Sequence, residues 1–419
     1  MFHKQITAKH RERCRRASLF FFLFLCSWIS LPALPISAVS ANNFILPKEL
    51  RVNILAKYNL REIKINTKRG TFFVGSEKFN IANKAVNISL SEEGLMFISI
   101  DKSQSFSTKN IHISFPETYT ITFDEQGASV NRTYRGNLEI SDKKKILQLI
   151  AIMKLEDYVA ASARAELGPL HAKSSNSNKQ RELISAMEIT LRSFIAAEKN
   201  RHRGKTYEFC DLTHCAHFPG LAFFDSSIAE SLTSGQVMIN EREKPVTAYF
   251  HSTCGGVLTE PVVYWYRHET SKNYRRGYDS TNGKDINCQK SPHFSWHVIL
   301  TEDELDSVIE QGRITSLRAN YKQERVTSLS YTAATGYQGV IEASVFLSKA
   351  GRTFGWNRIK SNLFVIEKTS KGWELLGNGL GHGIGMCQWG AHAMSESGKS
   401  CNEILSFYYG SLINVKKVL

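Results

Sequence analysis

The stretch Leu155–Pro169, LEDYVAASARAELGP, holds the carboxylate best placed to act as an acid. Leu155, Val159, Ser162 and Glu166 recur at i, i+4, i+7 and i+11, which is one stripe of an α-helix, and Gly168 with Pro169 stops it. Glu166 then lies in the last turn, on the less polar face. Partial burial disfavours the charged form, and the negative end of the helix dipole does the same. A carboxyl group kept protonated near neutral pH is what a general acid requires. The competing reading is a helix-end Glu beside Arg164 or in solvent.

A second constellation is Tyr207–Leu221, YEFCDLTHCAHFPGL, with Cys210, His214, Cys215 and His217 inside eight residues. Thiolates and imidazoles suit Zn²⁺, but the spacing is not a common zinc-finger pattern, and a Cys210–Cys215 disulfide accounts for the thiols equally well. In YFHSTCGG, Tyr249–Gly256, His251 stands beside Ser252 and Cys254. Neighbours on a strand face opposite ways and no orienting acid is evident, which argues against a nucleophilic hydrolase. Gly377, Gly379, Gly381, Gly383 and Gly385 occupy every second position. On a strand that leaves one face bare, open to another backbone or a ligand, with Asn378, Leu380, His382, Ile384 and Met386 pointing the other way. No Gly-Lys-Ser/Thr follows, so this is not a phosphate loop, and His382 and His392 lack the spacing of a zinc protease.

Other elements must position these groups. Residues 42 to about 140 read as β-rich, with short runs such as Leu50–Leu55, Glu62–Ile65, Thr71–Val74, Leu95–Ile100, Ile111–Phe115 and Tyr119–Phe123 between turn residues. The pattern changes near Lys145. Leu183, Ile184, Met187, Leu191, Phe194 and Ile195 predict a helix from about Lys179 to Lys199, with Arg192 next to the apolar stripe, where it could reach a cleft. Thr301 to Phe364 reads as scaffold, with a surface helix over Asp303–Gln311. A helix follows from Gln388 to about Ser397, with Gly398 as its stop, and Ser400 with Glu403 starts a terminal helix.

A chain of 419 residues allows two or three domains. Lys4, Lys9, Arg11, Arg13, Arg15 and Arg16 precede an apolar run, Leu19 to Leu31, and Val39 and Ala41 supply small residues for cleavage after Ala41. This is a secretory signal pattern; the alternative is an uncleaved anchor. Removing 1–41, with six Lys/Arg and one Glu, takes the formal charge from +14 to +9. Such a balance suits an anionic polymer, and export argues against nucleic acid. Six cysteines remain after that segment: Cys210, Cys215, Cys254, Cys288, Cys387 and Cys401.

Several of these segments together resemble the stage II sporulation protein D, or amidase-enhancer, family. GHGIGMCQWGAHAM, Gly381–Met394, is similar to its Gly-His-Gly-Val-Gly-Met-Ser-Gln-Trp-Gly-Ala signature, with Ile384 for Val and Cys387 for Ser. YRG at Tyr134–Gly136, the run to Leu167, the Arg192 helix, YEFCDLTHC, YFHSTCGG and SNLFV at Ser361–Val365 follow in family order, covering about residues 130–410. The resemblance implies a peptidoglycan lytic transglycosylase acting on peptide-stripped glycan strands, with Glu166 as the acid, although the neighbours Ala165, Leu167 and Gly168 differ from the family's Ser-Glu-Met-Pro. The fold expected is α+β: a mixed helix/strand catalytic domain at 141–419 forming a glycan groove, behind the β-rich N-terminal domain read at 42–140. Arg192, His251, His382 and Gln388 are the expected sugar contacts. Cys210, His214 and Cys215 resemble a zinc set that His202 would complete, the ion being structural. Ala216-His217-Phe218 replaces the family's Gln-Val-Tyr. The other name of the family implies the rival reading, a non-catalytic glycan binder that enhances an N-acetylmuramoyl-L-alanine amidase. A thiol hydrolase using Cys387 is a third. The expected place is the cell envelope, with membrane contact only through an uncleaved N-terminal segment.

Overall fold

The computed structural model describes residues 44–418, save 75–76, 101–103, 173–175, 222–229, 266–273 and 412. The leader expected at 1–41 lies outside them. The fold mixes helices with extensive strand and is α+β. Among the described residues no helix is long and apolar enough to cross a membrane.

The largest sheet is built from β1 (Glu49–Ile54), β2 (Glu62–Val74), β3 (Glu77–Leu90), β4 (Met96–Ile100), β5 (Gln104–Thr108), β6 (Asn110–Glu125), β7 (Ala128–Asp142), β8 (Leu147–Lys154) and β9 (Phe209–Cys210). Its order is β5-β4-β3-β2-β6-β7-β8-β1-β9. β1 and β9 run parallel; the other pairs are antiparallel. Alternation along β6 buries Ile111, Ile113, Phe115, Tyr119, Ile121 and Phe123 on one face. Gln126 and Gly127 join β6 to β7 with φ of 54° and 84°, a two-residue hairpin turn whose backbone matches the strand twist.

Two pairs of short runs in the sequence are single long strands. The break expected between Ile65 and Thr71 is a register shift inside β2, and that between Phe115 and Tyr119 is one inside β6. Pro116 lacks an N–H, and a bulge absorbs it without ending the strand. The boundary expected after residue 140 falls inside β7. Beyond it β8 closes on β1, so the sheet continues into the second half of the chain.

β8 runs directly into the helix Leu155–Leu167, whose first turn carries Glu156 and Asp157 at the positive end of the dipole. This helix packs on the long helix Ser177–Ala197, which Asn176 caps by accepting the Lys179 amide at 2.9 Å. Both helices share one core with the large sheet and the terminal helix Cys401–Tyr409. A second core lies within 296–375, where two three-stranded sheets enclose the helices Glu302–Ile309 and Ala343–Phe354.

The glycine ribbon is not a strand. The strand Gly372–Asn378 ends where it begins, and Gly379, Gly381, Gly383 and Gly385 all have positive φ, from 69° to 110°. A Cβ on Gly385 would sit 2.0 Å from the Tyr249 carbonyl oxygen, and one on Gly383 would sit 2.2 Å from the Arg325 guanidinium. The close approach that these glycines permit is therefore to the protein's own chain.

Candidate functional site

Glu166 lies in the last turn of its helix, which Gly168 ends with φ 53°. The side chain is partly exposed. The His217 amide donates to Oε1 at 2.6 Å, and Gln388 Nε2 donates to Oε2 at 3.1 Å. Burial raises the pKa above the ordinary carboxylate value, and the two donors act against that rise. The His217 contact uses backbone alone, so the replacement of the family's Gln-Val-Tyr leaves it intact and no side-chain pattern could have announced it. Gln388 opens the helix Gln388–Glu396 and was expected near the sugar; it reaches Glu166 itself.

His202, Cys210, His214 and Cys215 converge, with their ligand atoms within 4.8 Å of one another. The Cys210 and Cys215 sulfurs are 3.6 Å apart, far beyond a disulfide bond of about 2.05 Å, so the disulfide alternative fails in this structure. Cys210 Sγ lies 3.3 Å from His214 Nε2, Cys215 Sγ 3.2 Å from His202 Nε2, and the two imidazole nitrogens 3.3 Å apart. A tetrahedron with bonds of zinc length has edges of about 3.8 Å for S–S, 3.6 Å for S–N and 3.3 Å for N–N. The donor set fits a four-coordinate metal of that size. The Cys210 thiol, donating to Cys215, holds Cys215 well below the usual thiol range. The set hangs on the sheet edge, since Cys210 belongs to β9, and His217 follows Cys215 by two residues.

The remaining expected sugar contacts fare differently. Arg192 does not reach a cleft: it is fully buried, its Nε and Nη2 bond Glu156 at 2.9 and 2.6 Å, and its other donors meet Ser231, Thr233 and the Gln236 carbonyl. Spacing beside an apolar stripe could not tell this pair from a solvent-facing Arg. His251 is 5% exposed, and its Nδ1 faces the Ile384 carbonyl oxygen at 3.1 Å, which requires the proton on Nδ1. Its Nε2 is buried without a partner among the described residues. His382 is partly exposed, accepts the Ile384 amide at 3.1 Å, and meets the His251 ring at 5.3 Å amid Tyr249, Tyr264 and Trp265. Burial, and then the Arg325 charge, lower His382 to about 3; burial, His382 and Arg325 hold His251 well below its ordinary value, so both rings are neutral. Cys387 is fully buried and accepts two backbone amides, which leaves no access for a thiol hydrolase's substrate.

No family model matches the chain. Curated relatives support a stage II sporulation protein D-like family for it, at 25–36% identity over part of its length. The chain is 28% identical to stage II sporulation protein D of Bacillus amyloliquefaciens over 184 residues, 42% of this chain and 47% of that one. To the amidase enhancer of Bacillus subtilis it is 36% identical over 80 residues, 19% of this chain and 11% of that one. A longer match, 297 residues at 24% identity, joins it to an uncharacterised protein of Brachyspira hyodysenteriae, with 70% and 75% of the two chains covered. The chain thus spans less than half the length of the two Bacillus proteins.

Proposed function

We propose that this protein is a peptidoglycan lytic transglycosylase, cleaving the bond between N-acetylmuramic acid and N-acetylglucosamine in peptide-stripped glycan strands. Glu166 carries the reading: a partly exposed carboxyl group with a raised pKa whose two oxygens are held unequally. The short bond from His217 engages Oε1, and the longer one from Gln388 leaves Oε2 as the oxygen that carries the proton. Oε2 gives that proton to the leaving glycosidic oxygen as the bond to the sugar C1 breaks and positive charge develops on the ring. The C6 hydroxyl oxygen of the muramic acid bonds to C1, closing the 1,6-anhydro ring, and its proton returns to Glu166. No water enters, so no second carboxylate is needed to activate one.

Relatives named amidase enhancer and stage II sporulation protein D support work on the cell wall, and the leader pattern supports export to the envelope. The basic mature chain suits an anionic wall. His382, with Tyr249, Tyr264 and Trp265 around it, offers aromatic and neutral polar contacts to a sugar in a groove, with the neutral His251 ring behind it; Gln388 serves the acid directly. Zinc held by His202, Cys210, His214 and Cys215 would be structural, because four protein ligands leave no open position. Those residues fix the loop from which the His217 amide reaches Glu166.

The test is mass spectrometry of products from peptide-free strands, with the full chain and its Glu166→Gln variant. Anhydro-muramic ends from wild type alone support the reading. Reducing ends carrying water's oxygen would mean hydrolysis. Bound strands with no product from either protein favour the second reading, an amidase enhancer, which the name of the Bacillus subtilis relative supports.

A further inference from the structure

Cys254, Asp279, Cys288 and Cys387 come from separate stretches up to 133 residues apart, yet three sulfurs and a carboxylate oxygen lie within 4.8 Å of one another. All four residues are buried. Cys254 Sγ is 3.4 Å from Cys288 Sγ and 3.2 Å from Asp279 Oδ2. The first distance excludes an S–S bond in this structure and approaches the edge of a metal tetrahedron.

Two backbone amides point at one of the sulfurs. The amides of Cys254 and Gly390 both donate to Cys387 Sγ, at 3.3 and 3.4 Å. Cys387 caps the helix Gln388–Glu396 with that sulfur, at the positive end of the helix dipole. On Asp279, the Tyr408 hydroxyl and Asn287 Nδ2 each donate to Oδ1 at 3.0 Å, which leaves Oδ2 turned to the sulfurs. Orientation of a carboxylate through its outer oxygen is the usual support for a metal ligand. Arg325 supplies an independent sign. It is fully buried and bonds only neutral acceptors, Asn362 Oδ1 and the Cys254 and Val257 carbonyls, at 2.8 Å each. Among the described residues it forms no ion pair, and a buried guanidinium calls for negative charge nearby.

We infer that Cys254, Cys288, Cys387 and Asp279 form a second, fully enclosed metal site, binding a thiophilic divalent cation, zinc, through three thiolates and one carboxylate. Three soft donors select such an ion over calcium or magnesium. Binding releases the thiol protons and leaves every sulfur reduced. The site ties the Cys254 turn to the start of the helix bearing Gln388, one residue beyond Cys387, and so sets the donor that reaches Glu166.

Zinc counted per chain by elemental analysis and native mass spectrometry tests this on the full protein. Two ions are expected in wild type, one in Cys288→Ser, and one in Cys215→Ser, which disables only the first cluster. A single ion that is lost with Cys288→Ser and kept in Cys215→Ser would support this site and remove the first. A single ion that is lost with Cys215→Ser and kept in Cys288→Ser overturns the inference, as does no zinc at all, or an intact mass two hydrogens short with Cys254 and Cys288 closed to alkylation. Should the serine variants fail to fold, cobalt-loaded wild type decides: charge-transfer absorption for five thiolate bonds supports two sites, and absorption for two supports the first alone.

Discussion

Gln388→Leu should move the alkaline limb of the pH profile upward. Gln388 Nε2 donates to Glu166 Oε2 at 3.1 Å and favours the carboxylate, against burial, which favours the acid. A hydrogen bond to a charged group contributes about 1.5–3 kcal/mol. Glu166 is partly exposed, so water replaces some of that, and the lower end is the better guide. At 1.36 kcal/mol per pKa unit, the carboxyl should rise by about one unit. A general acid works while protonated, so activity falls as pH climbs through the Glu166 pKa, and that fall should shift up by about one unit in kcat/KM for anhydro-muramic product. Stability follows the same sign. A carboxyl with a raised native pKa contributes its stabilisation fully below the unfolded value and loses it as pH rises through the folded one. The loss should extend to higher pH in the variant. A limb that stays in place, or moves down, would refute Glu166 as the group that titrates or Gln388 as its donor.

Other consequences are structural. Gly385→Ala should cost about 3 kcal/mol in urea unfolding, because φ is 69° and the new Cβ meets the Tyr249 carbonyl oxygen, whereas Gly312→Ala, at φ 75° with open space around it, should cost about 1 kcal/mol. Equal costs would mean that the ribbon is not held against its neighbour. Arg192→Met should lower stability by about 3 kcal/mol by leaving Glu156 without its partner. An unchanged unfolding midpoint with a raised KM for glycan would restore the role in sugar contact that the sequence suggested.

What the sequence revealed was local. Helix ends at Gly168 and at Ser400 with Glu403 were readable because caps involve residues within one turn, whereas the Thr301–Glu304 capping box was missed and the helix it opens was placed at Asp303–Gln311. Cys210, His214 and Cys215 were readable for the same reason, lying within six residues, whereas His202 came only through the family resemblance and His217, read with them, is not one of the converging four. Bulges in β2 and β6 were misread as turns because the partner strand decides between the two. The alternating glycines carry the same spacing in a strand and in a series of left-handed bends, and only the packed neighbours Tyr249, Thr253 and Arg325 distinguish them. Asp279 and Cys288 gave no local sign, since their partners are distant in sequence.

The sheet that spans both halves makes β1 a splint for the Glu166 helix. β1 pairs with β8, which launches the Glu166 helix, and with β9, which carries Cys210. Beside that strand, Asp211 accepts the Leu55 and Ala56 amides at 2.5 and 3.2 Å, and burial pushes its pKa up to about 6. A fragment starting at residue 141 would strip β8 of both its neighbours and leave the His217 loop with no wall to rest on. The N-terminal β region is therefore not a part that can be trimmed without loss to the rest of the chain. Changes in β1 should therefore be felt in the Glu166 helix, through β8, and at Cys210, through β9.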